Sequence, residues 1–158
     1  MPIRVLISTA CAALLCSCGS LPKSDPAEPQ TKAELKPIID ESARFPKTDL
    51  ESTKVVSVNL IGKTFMPGGT LAHYRKGKRE YDVFIAKLPS PLDAAILLTD
   101  WRKALKDPVL IPSFGGYFGD DNGQPLFVFS KGAWIAGIRG LPQKEADLQA
   151  RILAAQLP

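Results

Sequence analysis

His73 is the only histidine in the chain, and it is the side chain best suited to acid–base chemistry near neutral pH. A single histidine excludes metal sites built from several histidines and leaves a Ser-His-Asp relay with one base. It lies in a predicted strand beside Tyr74 and Arg75, and no nucleophile-elbow motif occurs. We therefore predict no catalytic residue, no metal site and no cofactor. A hydrolase that uses His73 together with a nearby acid is one hypothesis for the function.

Oxygen-bearing side chains come together at residues 120–123, where the sequence reads Asp-Asp-Asn-Gly. A calcium loop has such residues near a glycine, but it also needs a closing acidic residue further along, which is missing here. Residues of these types also form tight turns for conformational reasons. The segment is therefore predicted to be a turn.

Four basic residues are concentrated at one predicted hairpin tip: Arg75, Lys76, Lys78 and Arg79. Such a patch can contact anionic headgroups, at about 1 kcal/mol per charge near a membrane surface, or bind an acidic partner. The alternative is a solvated turn that also protects a sheet edge from aggregation. The patch is our candidate site for an anionic lipid or an envelope protein.

Aromatic residues offer a different kind of site, an apolar pocket between sheet and helices. The residues that could line it are Trp101, Trp134, Phe84, Phe127 and Phe129. Aromatic residues at strand and helix periods more often form an ordinary core.

The glycine pairs at 68–69 and 115–116 lack the strand-to-helix setting of a phosphate loop and are predicted to be turns.

The chain begins with one basic residue, Arg4, and an apolar stretch over residues 5–15, which is typical of a secretory signal. The stretch is too short to span a bilayer. It ends in Leu15-Cys16-Ser17-Cys18-Gly19, which resembles the lipobox of bacterial lipoproteins. Cys16 departs from the Ala, Ser or Thr usual at that position. Plain secretion after a small-residue cleavage site is the alternative.

The resemblance implies cleavage before Cys18 and attachment of diacylglycerol and an N-acyl chain such as palmitate to that residue. Stable membrane attachment takes more than one acyl chain, and this modification supplies enough. Gly19 in place of Asp favours the outer membrane over the inner membrane, where the source has one. We therefore predict a protein anchored on the extracytoplasmic side of a membrane, with the periplasmic face of the outer membrane favoured.

The composition divides the chain into three parts. Residues 1–17 are the predicted signal peptide. Residues 18–53 are the lipidated N-terminus and a tether, with a short helix predicted within residues 35–45; residues 19–30 contain three prolines and little to bury. Residues 54–158 are the predicted globular domain. The formal net charge of +4 is too small to indicate a nucleic-acid partner.

The predicted elements give a mixed α+β fold. A strand over residues 55–61 precedes a hairpin with a turn at Lys76-Gly77-Lys78, and Ser90 and Pro91 open a helix that ends near Asp107. A loop through residue 111, a short strand near 117–118, a hairpin over 126–139 and a terminal helix follow. The apolar positions predicted to face the core on that helix are Ala146, Leu148, Ile152, Leu153 and Leu157. This order predicts an antiparallel sheet with both helices on one face and a ββα pseudo-repeat.

The order of elements is also similar to that of a group of uncharacterised bacterial extracytoplasmic proteins, over residues 83–95 and 117–137. That resemblance supports the fold and implies no activity. Together the patterns predict a lipid-anchored envelope protein that is not an enzyme and acts as a binding or interaction module. A carrier of a hydrophobic ligand or lipid is the alternative, and it predicts a cavity between sheet and helices.

Overall fold

Seven strands and two helices make up most of the computed structural model, which describes residues 39–158. The strands are β1 (Leu50–Val58), β2 (Pro67–Lys76), β3 (Arg79–Lys87), β4 (Lys106–Ile111), β5 (Gly116–Asp121), β6 (Gln124–Lys131) and β7 (Trp134–Arg139). The helices are α1 (Pro91–Ala104) and α2 (Gln143–Gln156). The predicted signal peptide, Cys18 and residues 19–38 of the tether lie outside the described residues.

The strands form one antiparallel sheet in the order β1-β2-β3-β7-β6-β5-β4. All six strand pairs are antiparallel, which confirms the mixed α+β class. β3 and β7 meet in the centre, so the two halves of the chain are joined by strands that are distant in sequence.

Neither helix within residues 39–158 is long and apolar enough to cross a membrane.

Local signals in the sequence placed several elements correctly. The β2–β3 hairpin turns at Gly77, whose φ of 64° lies in the region that favours glycine. Helix α1 begins after Ser90, whose Oγ accepts a hydrogen bond from the backbone N–H of Asp93 at 3.2 Å. Pro91 occupies the first helical turn, where its missing N–H costs nothing. The predicted start of this helix is confirmed.

The two helices lie on opposite faces of the sheet, so the prediction that they share one face is wrong. Alternate residues of a strand point to opposite faces. The α1-side core, which includes Trp101, contains Phe84 of β3, whereas the α2-side core, which includes Leu153, contains the neighbouring residue Ile85. Both helices pack on β6 and β7. Two neighbouring strands are about as wide as one helix, so one face of this strand pair cannot hold both helices.

The same placement removes the support for a ββα pseudo-repeat. The order strand, strand, helix does occur twice, as β2-β3-α1 and as β6-β7-α2. If the two ββα units were related by symmetry, a two-fold axis would relate the antiparallel neighbours β3 and β7. Such an axis is perpendicular to the sheet, so it would place both helices on the same face. The observed helices break that relation.

Three further expectations differ from the structure. The glycine pair 68–69, predicted to be a turn, lies within β2. The predicted loop before residue 111 contains β4, an edge strand in which a register shift between Lys106 and Val109 accommodates Pro108. Of the five apolar positions predicted for the last helix, Ala146, Leu153 and Leu157 are buried, whereas Leu148 and Ile152 are exposed. Ala150 is also buried against the sheet, because alanine fills a closely packed interface.

Residues before 54 take part in the packed region. β1 begins at Leu50, and Phe45 is buried in the α2-side core. The Tyr74 hydroxyl donates a hydrogen bond to the carbonyl of Pro46 at 2.8 Å. Within the described part of the predicted helix over 35–45, only a single 3₁₀ turn forms, at Ser42–Arg44.

Candidate functional site

The four basic residues of the predicted patch are divided between the two faces of the sheet. Arg75 lies opposite Glu80 in the β2–β3 register and forms salt bridges to Glu80 at 2.8 Å and to Glu51 at 2.9 Å. Lys76 lies opposite Arg79, and both line the α2 side. Arg75 is therefore neutralised by carboxylates on one face of the sheet, whereas Lys76 and Arg79 lie on the other.

A groove between the hairpin tip and α2 brings three of these cations together; we call it the basic groove. It has a volume of about 560 Å³ and is open to solvent. Its lining residues are Lys76, Lys78, Arg79, Tyr81, Leu141, Glu145, Leu148 and Gln149. Arg79 forms a salt bridge with Glu145, whereas Lys76 and Lys78 form none with any residue from 39 to 158. Among the described residues, the groove therefore offers two ammonium groups without a salt-bridge partner beside an apolar side chain, Leu148.

A stacked pair of tyrosines supports the floor of the basic groove. The rings of Tyr74 and Tyr81 are 5.0 Å apart with an interplanar angle of 10°. Burial, with a smaller effect from Tyr81, raises the pKa of Tyr74 above its usual range. Burial, with a smaller effect from Asp49, also raises the pKa of Tyr81. Both phenols are therefore held neutral by the fold.

These raised pKa values predict a loss of stability in alkali. Below pH ~10 both phenols are neutral in the folded and unfolded states; above it the unfolded chain ionises first. Each tyrosine should then reduce the free energy of unfolding by about 1.4 kcal/mol per pH unit. Tyr74→Phe should make this slope shallower, as measured by urea unfolding at a series of pH values. An unchanged slope in the variant would contradict the assignment.

His73 belongs to a charged network on the α1 face of the sheet. His73, Asp82 and Arg139 lie in one row across β2, β3 and β7. The imidazole Nδ1 donates to Asp82 Oδ1 at 2.9 Å, and Arg139 Nε donates to Asp82 Oδ2 at 3.2 Å. Nε2 lies 3.7 Å from carboxylate oxygens of both Glu51 and Glu80. The network links three strands through charged groups that satisfy one another.

The network does not assemble a nucleophile with a base. Ser52 lies opposite His73 in the β1–β2 register, yet no hydrogen bond joins the two side chains. The free nitrogen of His73 faces carboxylates instead. In the part of the chain that the structure describes, no group of three or more His, Cys, Asp or Glu side chains has the arrangement of a metal site.

The acidic segment 120–123 forms the turn between β5 and β6, as predicted. Asp120 Oδ1 accepts a hydrogen bond from the backbone N–H of Gly123 at 2.8 Å. Asp121 is only 6% exposed and forms a salt bridge with Lys63. The Asp121 carboxylate is therefore engaged in an ion pair inside the fold.

The five aromatic residues proposed for an apolar pocket do not share one. Trp101 and Phe84 belong to the α1-side core, whereas Trp134, Phe127 and Phe129 belong to the α2-side core. All five are buried, and side chains fill both layers between sheet and helix. These residues are core.

Sequence reasoning found the cations of the basic groove but missed its α2 wall. Leu148 was assigned to the core, and no pattern connected Glu145 or Gln149 with the hairpin, which is more than 60 residues earlier in the chain. Only the exposure of Leu148 identifies that side of the groove, and exposure follows from the tertiary fold. The chain matches no protein-family model, no curated protein and no solved structure.

Proposed function

We propose that this protein is a lipid-anchored binding module of the cell envelope, without enzymatic activity, and that the basic groove binds an anionic partner. The observation that carries the proposal is the pair of lysines, Lys76 and Lys78, which line an open groove without a salt-bridge partner among residues 39–158. Unpaired cations in a concave surface attract anions and speed their association.

The membrane anchor rests on the lipobox resemblance at Cys18. The proposed location is the extracytoplasmic side of a membrane, with the periplasmic face of the outer membrane favoured where the source has one. An anchored module does not need high affinity, since attachment to a surface raises the effective concentration of any partner there.

Two observations favour binding over the other hypotheses. The hydrolase hypothesis needs a nucleophile near His73, where the described structure has a network of carboxylates and guanidinium groups. The carrier hypothesis needs a cavity between sheet and helices, where the structure has closely packed aromatic and aliphatic side chains.

The anchor is tested by comparing wild type with Cys18→Ala in intact mass and membrane fractionation. We expect a lipid-sized mass increase and membrane association in the wild type, and the loss of both in the variant. Wild-type protein that is soluble and unmodified would show that the lipobox interpretation is wrong.

The basic groove is tested with inorganic polyphosphate as a model polyanion, in calorimetric titrations at low salt. Lys76→Glu/Lys78→Glu should weaken binding at least about tenfold, a change of about 1.4 kcal/mol. The control is Lys54→Glu/Lys106→Glu, which makes the same charge change at two exposed lysines on the edge strands. Equal losses in both variants would indicate a net-charge effect and would contradict a specific groove.

A further inference from the structure

The outward surface of α2 carries two exposed aliphatic residues. Leu148 is 57% exposed and Ile152 is 41% exposed. Residues four apart on a helix are neighbours, so these side chains form one apolar patch. Leu148 also lines the basic groove, which makes the patch continuous with the groove.

Basic residues outnumber acidic ones around this patch, where Glu145 and Asp147 are each paired with an arginine. Lys76 and Lys78 lie beside Leu148 across the groove. Lys144 and Arg151 are exposed on α2 itself. Arg151 is paired with Asp147 at 3.0 Å, whereas Lys144 forms no salt bridge with residues 39–158. Aliphatic side chains flanked by basic residues are typical of helices that lie in a membrane interface.

Helix α1 provides a comparison within the same molecule. Leu92 and Ile96 have the same spacing and are 69% and 55% exposed. Their surroundings differ, because Asp93 and Asp100 line the groove next to Ile96 with only one cation, Lys87, and Asp100 is paired with Lys103. This surface therefore has no excess of positive charge to attract an anionic bilayer. Since the two helices lie on opposite faces of the sheet, only one of them can face a given membrane.

The segment that precedes β1 packs on the α2 side of the sheet. Phe45 is part of the α2-side core, and Arg44 Nη1 donates to the carbonyl of Gln156, at the end of α2, at 3.3 Å. The residues between Cys18 and Ile39 would span about 65 Å if fully extended, which is ample for this surface to reach the bilayer.

We propose that the α2 surface docks on an anionic phospholipid bilayer, with Leu148 and Ile152 entering the interface and Lys76, Lys78 and Lys144 contacting phosphate headgroups. This inference rests on the proposed function and specifies its anionic partner as the membrane to which the protein is tethered. The lipid anchor and the docking surface then act together, and the domain lies against the bilayer.

The test removes the lipid so that only the protein surface can bind. A chain that begins at residue 18 and carries Cys18→Ser keeps every described residue. It is sedimented with vesicles of equal parts phosphatidylglycerol and phosphatidylcholine, and with pure phosphatidylcholine. We expect binding to the anionic vesicles only. Leu148→Gln/Ile152→Gln should weaken it about tenfold or more, and Lys76→Glu/Lys78→Glu by a similar factor.

The matched control is Leu92→Gln/Ile96→Gln, which should change binding less than about twofold because that surface lacks an excess of cations. Absence of wild-type binding to anionic vesicles, or equal losses in the two leucine–isoleucine variants, would overturn the inference. If polyphosphate still binds through Lys76 and Lys78 while vesicles do not, the docking inference fails and the proposed binding module stands. If neither binds, both fail. Circular dichroism spectra of all variants verify that each is folded.

Discussion

Replacing Trp101 with alanine should lower the free energy of unfolding by about 3 to 5 kcal/mol, the usual cost of removing a large aromatic side chain from a core. Trp101 is fully buried on α1 and packs against Phe65, with ring centroids 5.1 Å apart, and against Phe84, at 6.0 Å. Its Nε1 lies 3.1 Å from the sulfur of Met66. Urea unfolding followed by far-ultraviolet circular dichroism measures the change.

The control for this variant lies on the same helix. Lys103 is exposed and forms a salt bridge with Asp100 at 3.2 Å, so Lys103→Ala should change the free energy of unfolding by less than about 0.5 kcal/mol. A cost below about 1 kcal/mol for Trp101→Ala would mean that α1 does not pack on the sheet as described.

The second large effect is expected at Gly137, in the central strand β7. A methyl group added there would lie 2.3 Å from Cζ of Phe84 and 3.0 Å from the carbonyl oxygen of Phe127. Phe84 is fully buried, so its ring has little room to move. Gly137→Ala should therefore cost about 1 to 3 kcal/mol in the free energy of unfolding, through overpacking.

A double-mutant cycle identifies the cause. Phe84→Leu removes the ring atoms that the methyl group would meet, so Gly137→Ala should cost less in that background. We expect a coupling energy of about 1 kcal/mol or more between the two positions, from urea unfolding of all four proteins. Additive effects would show that Gly137 is needed for some reason other than the contact with Phe84.

The elements that the sequence predicted correctly are those with local determinants. The β2–β3 hairpin depends on Gly77, whose left-handed conformation few other residues adopt easily. The start of α1 depends on Ser90, Pro91 and Asp93, which act within one helical turn. Each of these signals is complete within a few residues, so no knowledge of the tertiary fold is needed to interpret it.

The features that the sequence could not show depend on distant partners. Strand β3 is apolar on both sides, so Phe84 and Ile85 alone do not tell which face receives which helix. His73 is paired with Asp82 within a hairpin, but Arg139 joins them only through the β3–β7 register. Leu148 has the residue type of a core position, and only the packing of Ala146 and Ala150 beneath it places it outside.

The position of β7 beside β3 also constrains how the protein is made. About 50 residues separate the end of β3 from the end of β7, and synthesis at 5–20 residues per second takes about 3 to 10 s to cover them. During that time β1, β2 and β3 are complete but lack their central neighbour, so Phe84 and Ile85 are uncovered. Until β7 has been synthesised, a newly made chain therefore presents an apolar strand edge to which chaperones can bind.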